Sequence, residues 1–138
     1  MYCQGRPCHG CTLLRKSGKR PVVGDISTLG LTGTKYLVES QVYPEKLKAL
    51  GIAYQLPTPQ QRVRINHIIF DELVRGIQSL ESLFYVQQVM EQMKNNGCDA
   101  VVLGCTEIPL LVSEEDSPLP TLDSTRTLAR AALREALA

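Results

Sequence analysis

Apolar residues follow a helical period through the middle of the chain and form an unbroken run near residue 100. They recur every three or four positions over residues 65–77 and again over residues 80–93, which predicts two amphipathic helices. Ala100–Leu103 is continuously apolar and lies between Gly97 and Gly104. Such a run is typical of a strand that is buried on both faces of a parallel sheet.

Shorter segments on either side complete the pattern. Leu29–Thr34 predicts a strand that turns through glycine, with Thr34 as the cap of a following helix over Tyr36–Leu50 that is interrupted near Pro44. Ile52–Leu56 predicts a second strand. After residue 103 we expect a helical turn over Glu107–Val112, an extended stretch over Leu119–Leu122, and a last helix that Asp123 or Ser124 caps and that runs through Leu137. Alternating strands and helices predict an α/β fold, a partial parallel sheet flanked by helices, with ligands at the carboxyl ends of its strands.

The first 28 residues have a different character. Three of the five cysteines and a basic cluster fall there, without a sustained helical or strand period. We therefore divide the chain into an irregular segment, 1–28, and an α/β domain, 29–138. Cys3, Cys8, His9 and Cys11 are ligand types that zinc accepts, but a single Cys-x-x-Cys without a second pair is a weak zinc signal, and we predict no metal site.

Composition removes several classes of function. The 138 residues carry a formal net charge of +1 and no tryptophan, so we expect neither a nucleic-acid nor a membrane partner. No apolar run approaches the roughly 20 residues of a membrane helix. The first residues lack the apolar core of a signal peptide, which predicts a cytoplasmic protein with reduced cysteines.

Two predicted strand-to-helix turns carry the candidate chemistry: Gly33-Thr34 and Gly104-Cys105-Thr106. Their backbone N–H groups suit a carboxylate or phosphate, although glycine and threonine are also ordinary turn and cap residues. Neither turn has the glycine fingerprint of a dinucleotide site or the lysine of a phosphate-binding loop.

Cys105 is open to two interpretations. It is either a small buried apolar residue or a thiol that acts as nucleophile or proton carrier. We favour the second, because Asp99 and Glu107 flank it with carboxylates and a helix start behind Thr106 favours a thiolate.

Three motifs occur in an order that resembles the aspartate/glutamate racemase family, and its aspartate racemase-like branch in particular. They are Gly33–Tyr36 (GTKY), Arg62–Leu73 (RVRINHIIFDEL) and Gly104–Leu111 (GCTEIPLL). The resemblance runs from about Leu29 to Ala138 and corresponds to the second, Rossmann-like half of a two-domain racemase. It implies racemisation of aspartate or glutamate without pyridoxal phosphate or any other cofactor, by two cysteines on opposite faces of the substrate α-carbon.

The resemblance also implies roles for individual residues. Cys105 corresponds to the second catalytic cysteine. Thr106 and the Gly33-Thr34 turn would hold the α-carboxylate, and we place Glu107 in the same substrate-binding set. Arg64 falls where aspartate racemases often carry a lysine for the side-chain carboxylate, which favours a small amino-acid or dicarboxylate substrate.

This chain departs from the family pattern at two places. Leu37 replaces a threonine, and neither the glycine-rich opening nor the first catalytic cysteine of the family is recognisable. We therefore expect a truncated racemase that is inactive alone and that forms a homo-oligomer or binds a complementing N-terminal half. The alternatives are a non-catalytic carboxylate-binding module and a related hydantoin racemase or malonate decarboxylase. We also expect Leu128, Ala131 and Ala132 of the last helix to be uncovered.

Overall fold

The sheet has four parallel strands in the order β2-β1-β3-β4. The structure, a computed structural model, describes residues 25–138, so the N-terminal cysteines and His9 lie outside the described residues. In chain order the elements are β1 (Thr28–Thr32), α1 (Lys35–Val38), α2 (Val42–Ala49), β2 (Ala53–Gln55), α3 (Pro59–His67), α4 (Leu80–Asn95), β3 (Ala100–Leu103), α5 (Ile108–Leu111), β4 (Thr121–Asp123) and α6 (Ser124–Leu137). The predicted α/β fold class is confirmed.

Two helical boundaries differ from the prediction. The helix expected over Tyr36–Leu50 is two helices, α1 and α2, and the break lies at residues 39–41 rather than at Pro44. Pro44 sits in the first turn of α2, where the missing N–H of proline is not needed. The first amphipathic helix begins earlier than its apolar period, because Thr58 and Gln61 form a capping box ahead of Pro59. It ends in a π-helical turn, Ile68–Glu72, and a 3₁₀ turn, Leu73–Arg75.

The continuous apolar run of β3 has a simple explanation in the packing. Val101 and Leu103 belong to the larger core cluster, which α3 and α4 complete, whereas Ala100 and Val102 belong to a second cluster with Leu47 of α2. Alternate side chains of a strand point to opposite faces of the sheet. Both faces of β3 are covered, so every residue of this strand is apolar.

Asp99 is not beside Cys105, and this expectation is wrong. It precedes β3 at the amino end of the strand, and six residues at about 3.3 Å each separate the two by roughly 20 Å. The buried Asp99 carboxylate accepts hydrogen bonds from the Ser27 backbone N–H (2.9 Å), the Ser27 hydroxyl (2.7 Å) and the Thr28 N–H (3.0 Å). Asp99 therefore joins β3 to the start of β1.

Within residues 25–138, the structure contains no helix that is long and apolar enough to cross a bilayer.

Replacing Asp99 by alanine should lower the free energy of unfolding by about 1–3 kcal/mol, because it leaves three partly buried donors of Ser27 and Thr28 without their acceptor. Urea unfolding measures this loss. Glu45→Ala, on the exposed surface of α2, is the matched control and should change stability by less than about 0.5 kcal/mol. Equal effects of the two substitutions would contradict the anchoring role of Asp99.

Candidate active site

The two glycine-containing turns meet at the carboxyl edge of the sheet because β1 and β3 are neighbours. The Gly104 N–H donates to the Thr32 carbonyl oxygen at 2.8 Å. Gly33 has φ +153°, which an L side chain rarely adopts. A Cβ on Gly104 would lie 2.5 Å from the Thr32 oxygen and would also collide with Leu37. Glycine at position 104 therefore permits this close approach. Leu37, which stands where the family pattern has a threonine, packs against both glycines at the junction of the two turns.

Cys105 is the first residue beyond the Gly104 turn and is partly exposed. Its Sγ accepts a hydrogen bond from the Ile108 N–H, the first residue of α5, at 3.3 Å. The side chain also packs against the larger core cluster. The thiol is thus held by the start of a helix, as predicted, with one side in the core and one side toward solvent.

The expectation that this position favours a thiolate is wrong. Burial raises the pKa of the Cys105 thiol, and the hydrogen bonds from the Ile108 and Glu107 backbone only partly oppose this. The negative charges of Glu107 and Asp123 raise the pKa of Cys105 further. Since α5 has only four residues, its N-terminus provides little positive potential against the loss of solvation. Cys105 therefore holds its proton at neutral pH.

Two carboxylates act on Cys105 electrostatically, and the sequence assigned only one of them to the site. Glu107 accepts a hydrogen bond from the Thr106 hydroxyl at 3.1 Å, so these two predicted residues are in contact. Asp123 ends β4 opposite Leu103 and caps α6 by accepting from the Arg126 N–H at 3.0 Å. Its identification as a possible cap came from the sequence, but its place beside the thiol depends on the pairing of β3 with β4.

The first turn is held by a residue that sequence reasoning missed. Thr34 caps α1, because its hydroxyl oxygen accepts from the Leu37 N–H at 3.3 Å, as predicted. The next backbone N–H, of Lys35, donates to the Asn66 side chain of α3 at 2.9 Å. Asn66 lies in the RVRINH motif, which was its only signal in the sequence.

The Arg64 side chain extends from α3 and contacts α4. Its guanidinium lies 3.3 Å from the Glu81 carboxylate and 5.8 Å from the ring centre of Tyr85, both on α4. These partners belong to neither glycine-containing turn. The structure thus brings Gly33, Thr34, Cys105, Thr106 and Glu107 to one edge, and it engages Arg64 elsewhere.

A cleft of about 220 Å³ opens on the other side of β3, between α5 and the start of α6. Asp123 and Arg126 line it, but Cys105 does not. The Cys105 thiol therefore lies outside this cleft, although Asp123 both lines the cleft and acts electrostatically on Cys105.

Comparison with known proteins places this arrangement in a family. The Asp/Glu/hydantoin racemase family matches residues 16–132, and the chain belongs to it. The match begins before residue 29, so the similarity extends further toward the N-terminus than the motifs indicated. The boundary between segments 1–28 and 29–138 stays a prediction.

Solved structures with this fold come from several organisms. A candidate Asp/Glu racemase from Yersinia pestis is 32% identical, with a TM-score of 0.77 over 93% of this chain and 53% of its own. An aspartate racemase homologue from Pyrococcus horikoshii is 25% identical, with a TM-score of 0.74 over 93% of this chain and 53% of its own. The aspartate racemase of Picrophilus torridus is 26% identical, with a TM-score of 0.63 over 91% of this chain and 49% of its own.

A curated sequence relative is an uncharacterized protein in the pnlA 3′ region of Pectobacterium carotovorum, 26% identical over 104 residues. That match covers 74% of this chain and 68% of the relative. The chain spans about half the length of the solved structures that it resembles.

Gly104→Ala should destabilise the junction of the two turns by about 1–3 kcal/mol, because the added methyl meets the Thr32 backbone, which cannot move without separating β1 from β3. Thermal unfolding measures the change. Gly30→Ala is the control, since its methyl meets the flexible end of Met93 at 2.7 Å. A smaller loss for Gly104→Ala than for Gly30→Ala would contradict the close-approach argument.

Glu107→Gln should lower the pKa of Cys105 and speed its alkylation by iodoacetamide at pH 8, because it removes a negative charge from beside the thiol. Peptide mapping by mass spectrometry separates Cys105 from the other cysteines. Glu115→Gln, an exposed carboxylate that does not act on Cys105, is the matched control. An unchanged alkylation rate in Glu107→Gln would show that the carboxylate does not influence the thiol.

Proposed function

We propose that this chain forms the Cys105 side of a cytoplasmic amino-acid racemase that acts on aspartate or glutamate without pyridoxal phosphate. The observation that carries the proposal is a partly exposed thiol at the carboxyl edge of a parallel sheet, next to a second glycine turn. This edge is where ligands of open α/β sheets bind. Membership of the family and the similarity to the aspartate racemase of Picrophilus torridus support the choice of substrate class.

The substrate α-carboxylate would bind between the two glycine turns. Thr34 and Thr106 supply hydroxyl groups there, and Thr106 is exposed. The Thr106 hydroxyl now donates to Glu107, so substrate binding requires it to change partner. Arg64 would receive the side-chain carboxylate only after it leaves the exposed Glu81. Exposed ion pairs of this kind are weak, so the exchange costs about 1 kcal/mol or less.

Proton transfer would proceed through Cys105 on one face of the α-carbon. As a thiolate, Cys105 takes the α-proton, becomes a thiol and leaves a carbanion next to the substrate carboxylate. An acid on the opposite face then donates its proton to that carbon and inverts the configuration. In the reverse direction Cys105, which holds its proton at neutral pH, is the donor.

The opposing acid would come from a complementing N-terminal half. Cys98, the second cysteine of the described residues, is fully buried and precedes β3 at the opposite edge of the sheet. It cannot face the same α-carbon as Cys105. Cys3, Cys8 and Cys11 lie outside the described residues, and none stands in a motif that resembles the family's first catalytic cysteine. We therefore expect this chain by itself to exchange an α-proton on one face without racemising the substrate.

Exchange of the aspartate and glutamate α-protons in D₂O, followed by NMR, tests this proposal. The wild-type chain should show exchange that rises steadily from pH 7 to pH 9, because the raised pKa of Cys105 keeps the thiolate a minor species at neutral pH. Cys105→Ser should abolish the exchange. Cys98→Ala, which removes a thiol from the opposite edge, should retain it.

Two other outcomes decide between the alternatives. Aspartate binding by titration calorimetry, without any cysteine-dependent exchange at pH 9, would replace the proposal with the carboxylate-binding module. Racemisation by the wild-type chain at ordinary turnover would show that it carries both acid/base groups and would overturn the one-face mechanism.

A further inference from the structure

Asn66 connects helix α3 to the Gly33-Thr34 turn. Its side-chain oxygen Oδ1 accepts from the Lys35 backbone N–H, directly after that turn, at 2.9 Å. Four residues earlier on α3, the Arg62 guanidinium lies 3.9 Å from the carboxylate of Glu39, at the C-terminus of α1. Residues four apart share one face of a helix, so this face of α3 lies against α1 and brings Asn66 to the candidate site.

Arg64 lies on a different side of the same helix. Two residues correspond to about 200° around an α-helix, so Arg64 and Asn66 point in nearly opposite directions. The contacts agree with this, because Arg64 reaches Glu81 and Tyr85 on α4, whereas Asn66 reaches the start of α1. Of these two polar side chains, Asn66 is the one that is held beside a glycine turn.

The hydrogen bond to Lys35 fixes the orientation of the Asn66 amide. A backbone N–H is a donor, so the amide atom that faces it must be the oxygen, and Nδ2 must lie on the other side. Within residues 25–138, Nδ2 has no acceptor, and every buried side-chain nitrogen or oxygen has a partner. Nδ2 is therefore open to solvent, with its hydrogens available to a ligand.

The Thr34 hydroxyl is in the same state. Its oxygen accepts from the Leu37 N–H at 3.3 Å, and its hydrogen has no acceptor in the part of the chain that the structure describes. The N–H groups of Lys35 and Leu37 are thus already engaged, and α1, with four residues, has little dipole with which to attract an anion. What this turn offers to a ligand is two side-chain donors, which suit the two oxygens of a carboxylate.

We propose that the Asn66 amide nitrogen donates a hydrogen bond to the α-carboxylate of the amino-acid substrate, beside the Thr34 hydroxyl, an assignment that rests on the proposed function. Asn66 then makes a contact that the engaged N–H groups of Lys35 and Leu37 cannot make. When the α-proton leaves, negative charge spreads from the α-carbon onto the carboxylate oxygens, so a fixed donor to these oxygens stabilises the carbanion. Asn66 therefore supports both binding and proton transfer.

Asn66→Asp separates the donor from the acceptor. The new side chain still accepts from the Lys35 N–H, so the thermal midpoint should stay that of the wild type, but a carboxylate replaces the donor that faces the ligand. The dissociation constant for aspartate, measured by titration calorimetry, should rise at least about tenfold. Gln60→Glu, the same amide-to-carboxylate change at an exposed position of α3, is the matched control and should bind aspartate as the wild type does.

A measurement on the wild-type chain tests the contact without any substitution. In isotopically labelled protein, the side-chain amide signals of Asn66 should shift as aspartate is added, and they should saturate with the dissociation constant found by calorimetry. Equal thermal midpoints of the wild type and Asn66→Asp exclude unfolding as the cause of weaker binding, and the wild-type titration decides independently of the variant.

The results distinguish the role of Asn66 from the proposed function. Aspartate binding that leaves the Asn66 signals unmoved, or unchanged affinity in Asn66→Asp, would overturn the role of Asn66 and leave the Cys105 chemistry standing. Binding that moves these signals without any cysteine-dependent exchange would support Asn66 and overturn the racemase proposal. A wild-type chain that binds neither aspartate nor glutamate would overturn both.

Discussion

The pairing of β1 with β3 is the constraint on which the rest of the structure depends. It is fixed at both ends by interactions of different kinds. At the amino end, the Asp99 carboxylate binds three donors of Ser27 and Thr28. At the carboxyl end, Gly104 approaches the Thr32 carbonyl more closely than any residue with a side chain could. The first interaction sets the register and the second brings the two turns together, so the thiol and its neighbouring hydroxyls share one edge.

The environment of Cys105 reflects a competition between burial and hydrogen bonding. The helix start donates to the sulfur, but the core surrounds one side of the thiol and two carboxylates lie near it. The result is a cysteine that holds its proton at rest. The proposed mechanism needs one member of the proton-transfer pair in each protonation state, and this setting suits the member that donates the proton.

Local signals in the sequence were sufficient to predict the main secondary-structure elements. The Thr34 cap, the unbroken strand Ala100–Leu103 and the last helix from Asp123 are short-range patterns, and the structure confirms each of them. The wrong or missed assignments are those in which closeness in sequence differs from closeness in space. Asp99 is close to Cys105 in sequence, but an intervening strand separates them. Asp123 and Asn66 are far from the two turns in sequence, and only strand pairing and helix packing bring them near. The raised pKa of Cys105 likewise depends on tertiary burial, which no local motif encodes.

Helix α6 begins beside the candidate site and has no buried residue. Its first residue is tied to the site, since the Ser124 hydroxyl donates to the Leu103 carbonyl at 2.9 Å, while Leu128 and Leu133 are exposed. The central claim remains that Cys105 acts on one face of an amino acid. Comparing α-proton exchange of L- and D-aspartate in D₂O, with the chirality of the product, tests this claim most directly. The account predicts exchange in one enantiomer with retention of configuration. Equal exchange in both enantiomers, with interconversion between them, would contradict it.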